Sequence, residues 1–130
     1  MSGLLNHMRF NFLSLLLLAY LSGFALDVSL FKFKTLDIKD GLSQNSINYI
    51  FQGSKGYMWF CTNEGLNLYN GYSFEVFKNQ IDNSNSLVSN FTQCMAETSD
   101  GVFWIGTERG ISVFMPDKKI FVNTESPLQI

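Results

Sequence analysis

The stretch Lys55-Gly56-Tyr57-Met58-Trp59-Phe60-Cys61-Thr62-Asn63-Glu64-Gly65-Leu66 returns 45 positions on as Asp100-Gly101-Val102-Phe103-Trp104-Ile105-Gly106-Thr107-Glu108-Arg109-Gly110-Ile111. Both tryptophans of the chain coincide under this shift, together with a threonine and two glycines at fixed distances from each. The same shift places Leu42 on Leu87, Asn45 on Asn90 and Ser54 on Ser99. Conservative pairs fill the gaps: Ile50 with Met95, Phe60 with Ile105, Leu66 with Ile111, Leu68 with Val113, and Tyr69 with Phe114. The chain is therefore an internal repeat, and each unit must find its core against the other.

Working outward from the tryptophans, each unit reads as four short strands. In the first these are 46–52, 57–61, 66–69 and 73–78; in the second, 92–97, 102–106, 110–115 and 119–122. The strand at 57–61 is apolar on both sides of the pleat, which predicts burial on both faces. Thr62-Asn63-Glu64-Gly65 is a tight turn with positive φ at the glycine, and Asn70-Gly71 predicts a type I′ hairpin. Pro116-Asp117-Lys118 replaces that dipeptide in the second unit. A period of about 40–50 residues with four strands per unit is that of propeller blades. The expected fold is all-β: two four-stranded antiparallel meanders of an incomplete β-propeller, with the tryptophans as core spacers rather than sugar-stacking platforms. Two blades leave two apolar faces open, so the chain alone is expected to aggregate or to dimerise face on face.

Composition agrees with a single domain. The 130 residues are 15% aromatic, including 13 Phe, and only 15% charged, with a formal net charge of −2. That balance gives no electrostatic footprint for nucleic acid. Two cysteines make no disulfide framework; Cys61 and Cys94 are expected as reduced, buried thiols. The one histidine, His7, lies in an N-terminal stretch with signal-peptide order: Met8-Arg9, an apolar run over 12–21, then Ser22-Gly23-Phe24-Ala25 before a cut after Ala25. The run falls short of the roughly 20 residues that span a bilayer, although a retained anchor is the alternative. A mature chain from Leu26 has no histidine. That excludes Ser/His/Asp and Cys/His nucleophilic sites, His-containing zinc sites and a histidine phosphoacceptor. No phosphate-binding glycine loop is present either, so no cofactor, metal or catalytic group is expected. The resulting division is 1–25 signal peptide, 26–45 lead-in, 46–79 first blade, 80–90 interblade loop, and 91–130 second blade with the start of the next connection. Asn90-Phe91-Thr92 forms a glycosylation sequon.

The stretch 55–74, the stretch 100–111 and the lead-in Phe33 through Asp40-Gly41-Leu42-Ser43-Gln44-Asn45-Ser46-Ile47 together resemble the two-component regulator propeller family. The resemblance covers nearly all of the chain after residue 25. It departs from the family pattern at Gly53, Cys61, Asn70 and Met115, all at turns or packing positions. WD and kelch repeats match less well. The resemblance implies the N-terminal part of a periplasmic sensor in a hybrid histidine kinase of Bacteroidetes. Further blades, an immunoglobulin-like domain, a membrane helix, kinase and receiver modules and often a DNA-binding module would complete it. It also implies oligosaccharide ligands and control of transcription for glycan use. Strand topology places the loop before each first strand on one rim with the turn between strands two and three. On that rim the ligand-contact candidates are Gln44, Asn45, Asn63 and Glu64 from the first blade and Asn90, Glu108 and Arg109 from the second. Their alternative role is turn and cap chemistry. A secreted glycan- or protein-binding propeller without a kinase, and a propeller lyase or hydrolase, are the competing classes.

Overall fold

The computed structural model describes residues 32–125, so the signal-peptide expectation lies outside the described residues. The strands belong to one compact unit that begins at Thr35. Its first ordered feature is a 3-10 turn, Ile38–Asp40, set by a reciprocal cap. Asp37 Oδ1 accepts from Lys39 N at 2.7 Å, and Asp40 Oδ2 accepts from Asp37 N at 3.0 Å. Gly41, at φ 107°, ends the turn in the left-handed region and delivers Leu42 to a buried position.

Eight strands follow: β1 (Ile47–Gln52), β2 (Met58–Thr62), β3 (Gly65–Tyr69), β4 (Phe74–Phe77), β5 (Thr92–Glu97), β6 (Phe103–Thr107), β7 (Gly110–Met115) and β8 (Ile120–Glu125). They form two separate four-stranded antiparallel sheets, β1-β2-β3-β4 and β5-β6-β7-β8. The strands fall where the repeat put them, except that β8 runs on to Glu125. Both first hairpins carry the same irregularity, between Ile47 and Tyr49 in one and between Thr92 and Cys94 in the other. The repeat thus extends to backbone detail.

Register decides which side chains share a face. Trp59 pairs with Phe51 and Leu68, Cys61 with Leu66, and Leu66 with Phe77, so these six lie on one side of the first sheet. In the second sheet Met95 pairs with Ile105, and Phe114 with both Phe103 and Phe121. The two sets meet, with Leu87 from the interblade loop, in one core. The Trp59 ring lies 4.8 Å from Phe103 and 5.8 Å from Phe114, centroid to centroid, and stacks on Phe77 at 6.0 Å. Dense aromatic contact is how two thin sheets exclude water with few residues.

Three expectations are corrected. First, β2 is buried on one face only: Trp59 and Cys61 are covered, while Met58 and Phe60, on the reverse face, are half-buried. Trp104 likewise is 45% exposed against 3% for Trp59, because among the described residues no second sheet packs over its side. Second, Cys94 is exposed and only Cys61 is buried, both as free thiols. Cys94 sits on the open face over Gly106, where a Cβ would come within 2.7 Å of its Sγ. Third, Asn70-Gly71 does not adopt type I′ geometry, which needs positive φ at both residues. Gly71 has it and Asn70 does not. Instead, Asn70 Oδ1 accepts from Tyr72 N at 2.9 Å and Ser73 N at 3.0 Å, an Asx-type cap.

Candidate functional site

The rim nominated for ligand contact is built by one repeated device. Thr62 Oγ1 donates to Gly65 O at 2.9 Å and accepts from Glu64 N at 3.0 Å. Thr107 does the same with Gly110 O at 2.8 Å and Arg109 N at 3.2 Å. The hydroxyl bridges a turn that has no room for a side chain at its last position. Gly65 sits at φ 128°, and a Cβ there would lie 2.6 Å from Phe77 O. This explains the Thr-x-x-Gly spacing and presents two side chains, 63–64 or 108–109, at the rim.

The loop before β5 joins the same rim. Gly65 N donates to Asn90 O at 2.8 Å, and Glu108 N to Phe91 O at 3.2 Å. Beneath it, Thr92 is fully buried and its hydroxyl clasps the first blade, accepting from Thr62 N at 2.9 Å and donating toward Thr62 O and Gly65 O. A matched pair anchors each loop to its own sheet: Ser43 N donates to Asn67 Oδ1 at 2.8 Å, and Val88 N to Ser112 Oγ at 3.0 Å. Asn67 and Ser112 occupy the same repeat position.

Most of the nominated side chains spend a polar atom on a hydrogen bond within the chain. Asn45 Oδ1 accepts from Ile38 N at 3.0 Å, and Asn90 Oδ1 from Asn79 N at 2.7 Å. Asn63 Oδ1 accepts from Asn48 Nδ2 at 2.8 Å, and that amide also reaches Thr92 O. Glu108 accepts from Ser89 Oγ at 3.0 Å. Glu64 pairs with Lys78 at 3.7 Å across exposed surface, a contact of small energy. Two residues keep capacity. Gln44 Oε1 is buried with no hydrogen-bond partner among the described residues. The Arg109 guanidinium makes no ion pair with a described residue and borders a cavity of about 450 Å³ beside Asn79, Gln80, Asn83 and Asn123.

A second cleft, of about 470 Å³, opens between the blades at the turns on the opposite rim. Trp59 and Phe103 lie at its floor, and Lys55, Glu75, Glu97, Asp100 and Lys119 around it. Two contacts staple its walls. Ser54 N and Oγ donate to the Glu97 carboxylate at 2.6 and 2.5 Å, and Lys119 meets Glu75 at 3.7 Å. The Thr98 hydroxyl, bonded to Asp100, holds that carboxyl below its ordinary range. Glu75, Glu97 and Lys119 did not stand out in the sequence, because the two staples join side chains far apart along the chain. In the core, burial pushes the Cys61 thiol up to about 11, which keeps it protonated and inert.

Comparison with known proteins agrees with this repeat. The two component regulator propeller family matches residues 41–64 and 86–109. Both matches start on a loop and end at a β2–β3-type turn, the parts that carry the threonine device and the loop anchor. Histidine kinase P4 of Formosa agariphila is 34% identical over 85 residues, 65% of this chain; the chain spans 6% of that relative's length. Among solved structures, the extracellular domain of a hybrid two component system of B. thetaiotaomicron aligns with 71% of this chain and 20% of its own. The TM-score there is 0.43 and the identity 20%. Each of the two sheet units thus carries one match to the two component regulator propeller family.

Proposed function

We propose that these blades belong to the periplasmic sensor propeller of a hybrid two-component histidine kinase, and that their loop rim contacts a glycan-derived oligosaccharide whose binding controls transcription. The observation that carries this reading is the pair of family repeats docked in one register. The relative named as a histidine kinase supports the signalling part. The rim supports the ligand part through what it leaves unspent. Arg109 beside amide groups suits an acidic or neutral sugar, with the guanidinium offering paired donors to a carboxylate or hydroxyls. Export follows from the order of the first 25 residues.

Calorimetric titration of the full chain with a panel of neutral and uronic-acid oligosaccharides tests the ligand part. Saturable binding that weakens at least tenfold in Arg109→Ala supports the rim site. Binding unchanged in Arg109→Ala and Gln44→Ala would move the site off this rim, and no binding across the panel would remove the glycan reading.

A further inference from the structure

The cleft over Trp59 lies between the sheets and away from the loop rim. Its walls are the β1–β2, β5–β6 and β7–β8 turns, with Leu68, Phe77 and Phe114 reaching in from the strands. A further blade on the Trp104 face would stand beyond the far side of the second sheet and leave these walls as they are. We propose that this cleft binds an aryl carboxylate, a small molecule whose ring rests on the aromatic floor. Its carboxylate meets the Trp59 indole N–H at the base and the Lys55 and Lys118 ammonium groups at the mouth. The site is independent of the loop rim and of what that rim contacts.

Three observations select this ligand. The first is an unspent donor. Trp59 is 3% exposed, yet its indole N–H donates to no described residue, whereas buried donors as a rule find an acceptor. Gly53 keeps the space before it open: a Cβ there would lie 3.2 Å from Trp59 Nε1 and 3.4 Å from Phe103 Cζ. By repeat position the counterpart of Gly53 is Thr98, so the notch belongs to this interface and not to the repeat in general. The second is the balance of polar groups. Glu97 accepts from both Ser54 N and Ser54 Oγ, Glu75 pairs with Lys119, and Asp100 accepts from the Thr98 hydroxyl. Lys55 and Lys118 make no ion pair with a described residue, and Asp117 alone of the lining carboxylates is without a described partner. The free groups are mostly donors, so a ligand must bring acceptors, and a carboxylate takes charge-assisted bonds from ammonium groups. The third is the floor. Trp59, Phe77, Phe103 and Phe114 form one ring cluster under a space of about 470 Å³, within the range of about 300–1,000 Å³ usual for small-molecule pockets. Rings suit an aryl body, whereas sugar hydroxyls would lose their water against them without gaining partners.

Equilibrium dialysis of the full chain against 3-phenylpropionate measures the affinity whatever the state of association. The emission of Trp59 in a Trp104→Phe variant, which has no other tryptophan, locates the ligand. Saturable binding that perturbs this emission is expected. Gly53→Ala should weaken it about tenfold or more by filling the notch, at a position whose backbone lies outside the left-handed region. Lys55→Gln and Lys118→Gln should each weaken it about threefold, and the neutral 3-phenylpropanamide should bind about tenfold more weakly than the acid. Arg109→Ala, on the opposite rim, should bind as the wild type does. No saturable binding overturns the proposal, as does binding that leaves Trp59 emission unchanged. So does an affinity unchanged in Gly53→Ala, an amide that binds as tightly as the acid, or a loss in Arg109→Ala. If Gly53→Ala loses its far-UV sheet signal, the double variant Lys55→Gln with Lys118→Gln replaces it and is judged by the same outcomes.

Discussion

Trp59 and Trp104 occupy one register position in two sheets of the same design, yet one is 3% exposed and the other 45%. Their strands and pairing positions match, while the side chains beside them differ: Trp59 lies between Phe51 and Leu68, and Trp104 between Ala96 and Val113. The difference in burial comes chiefly from the neighbouring sheet. Trp59 has the Phe103 and Phe114 rings of the second blade over it, whereas Trp104 has solvent. A propeller blade is therefore half of a core, and burial in it is a property of the interface rather than of the blade.

Substitution at the two tryptophans should break the comparison most widely. Trp59→Ala is expected to cost about 3–5 kcal/mol in denaturant unfolding, because it empties a packed aromatic site. Trp104→Ala should leave the stability of the isolated chain within about 0.5 kcal/mol. Equal losses would mean that the second blade's outer face is covered.

The cysteines sharpen the same contrast through pH. The Cys61 pKa rises on folding from 9.0 to about 11, so the contribution is intact below pH 9, where both states are protonated. It is lost as pH climbs through 11, because only the unfolded chain sheds its proton early. The loss amounts to at most about 2–3 kcal/mol. The wild-type curve should fall more steeply over that window than that of Cys61→Ala. Under native conditions an alkylating reagent should label exposed Cys94 and reach Cys61 only on unfolding, with mass spectrometry reading the sites.

Smaller effects should separate the polar clasp from its copy. Thr92→Val leaves the Thr62 N–H buried without its acceptor, an expected loss of about 1–3 kcal/mol. Thr107→Val removes a bridge in a half-buried turn and should lose about 0.5–1.5 kcal/mol. Smallest of all is Ser54→Ala, which cuts one side-chain bond to Glu97 at an exposed edge and should lose about 1 kcal/mol or less in the same titration.

Much of the fold was legible because its signals are local or periodic. The 45-residue shift located both sheets, and the Thr-x-x-Gly turns follow from the φ that only glycine takes easily. The shared rim followed from strand order alone, and the Gly65 to Asn90 bond lies on it. The site was less legible. Asn45, Asn63, Asn90 and Glu108 are the right residue types for sugar hydroxyls, but they are equally right for capping a backbone, and that is where their oxygens go. The cleft over Trp59 and the Ser54 to Glu97 staple gave no sign, since neither partner is marked until the sheets are set side by side. Asn70-Gly71 misled for a related reason: the dipeptide names a turn, while the side-chain cap chose its geometry.

Amino-acid order alone determined that two like units of four strands would form, and which residues would turn between them, because pleat alternation and backbone sterics act over a few neighbours. Tertiary structure alone decided which of two equivalent tryptophans is covered, which thiol is sealed and which rim groups remain unspent. Those outcomes depend on what stands about 10 Å away across a sheet interface, and no local pattern encodes that.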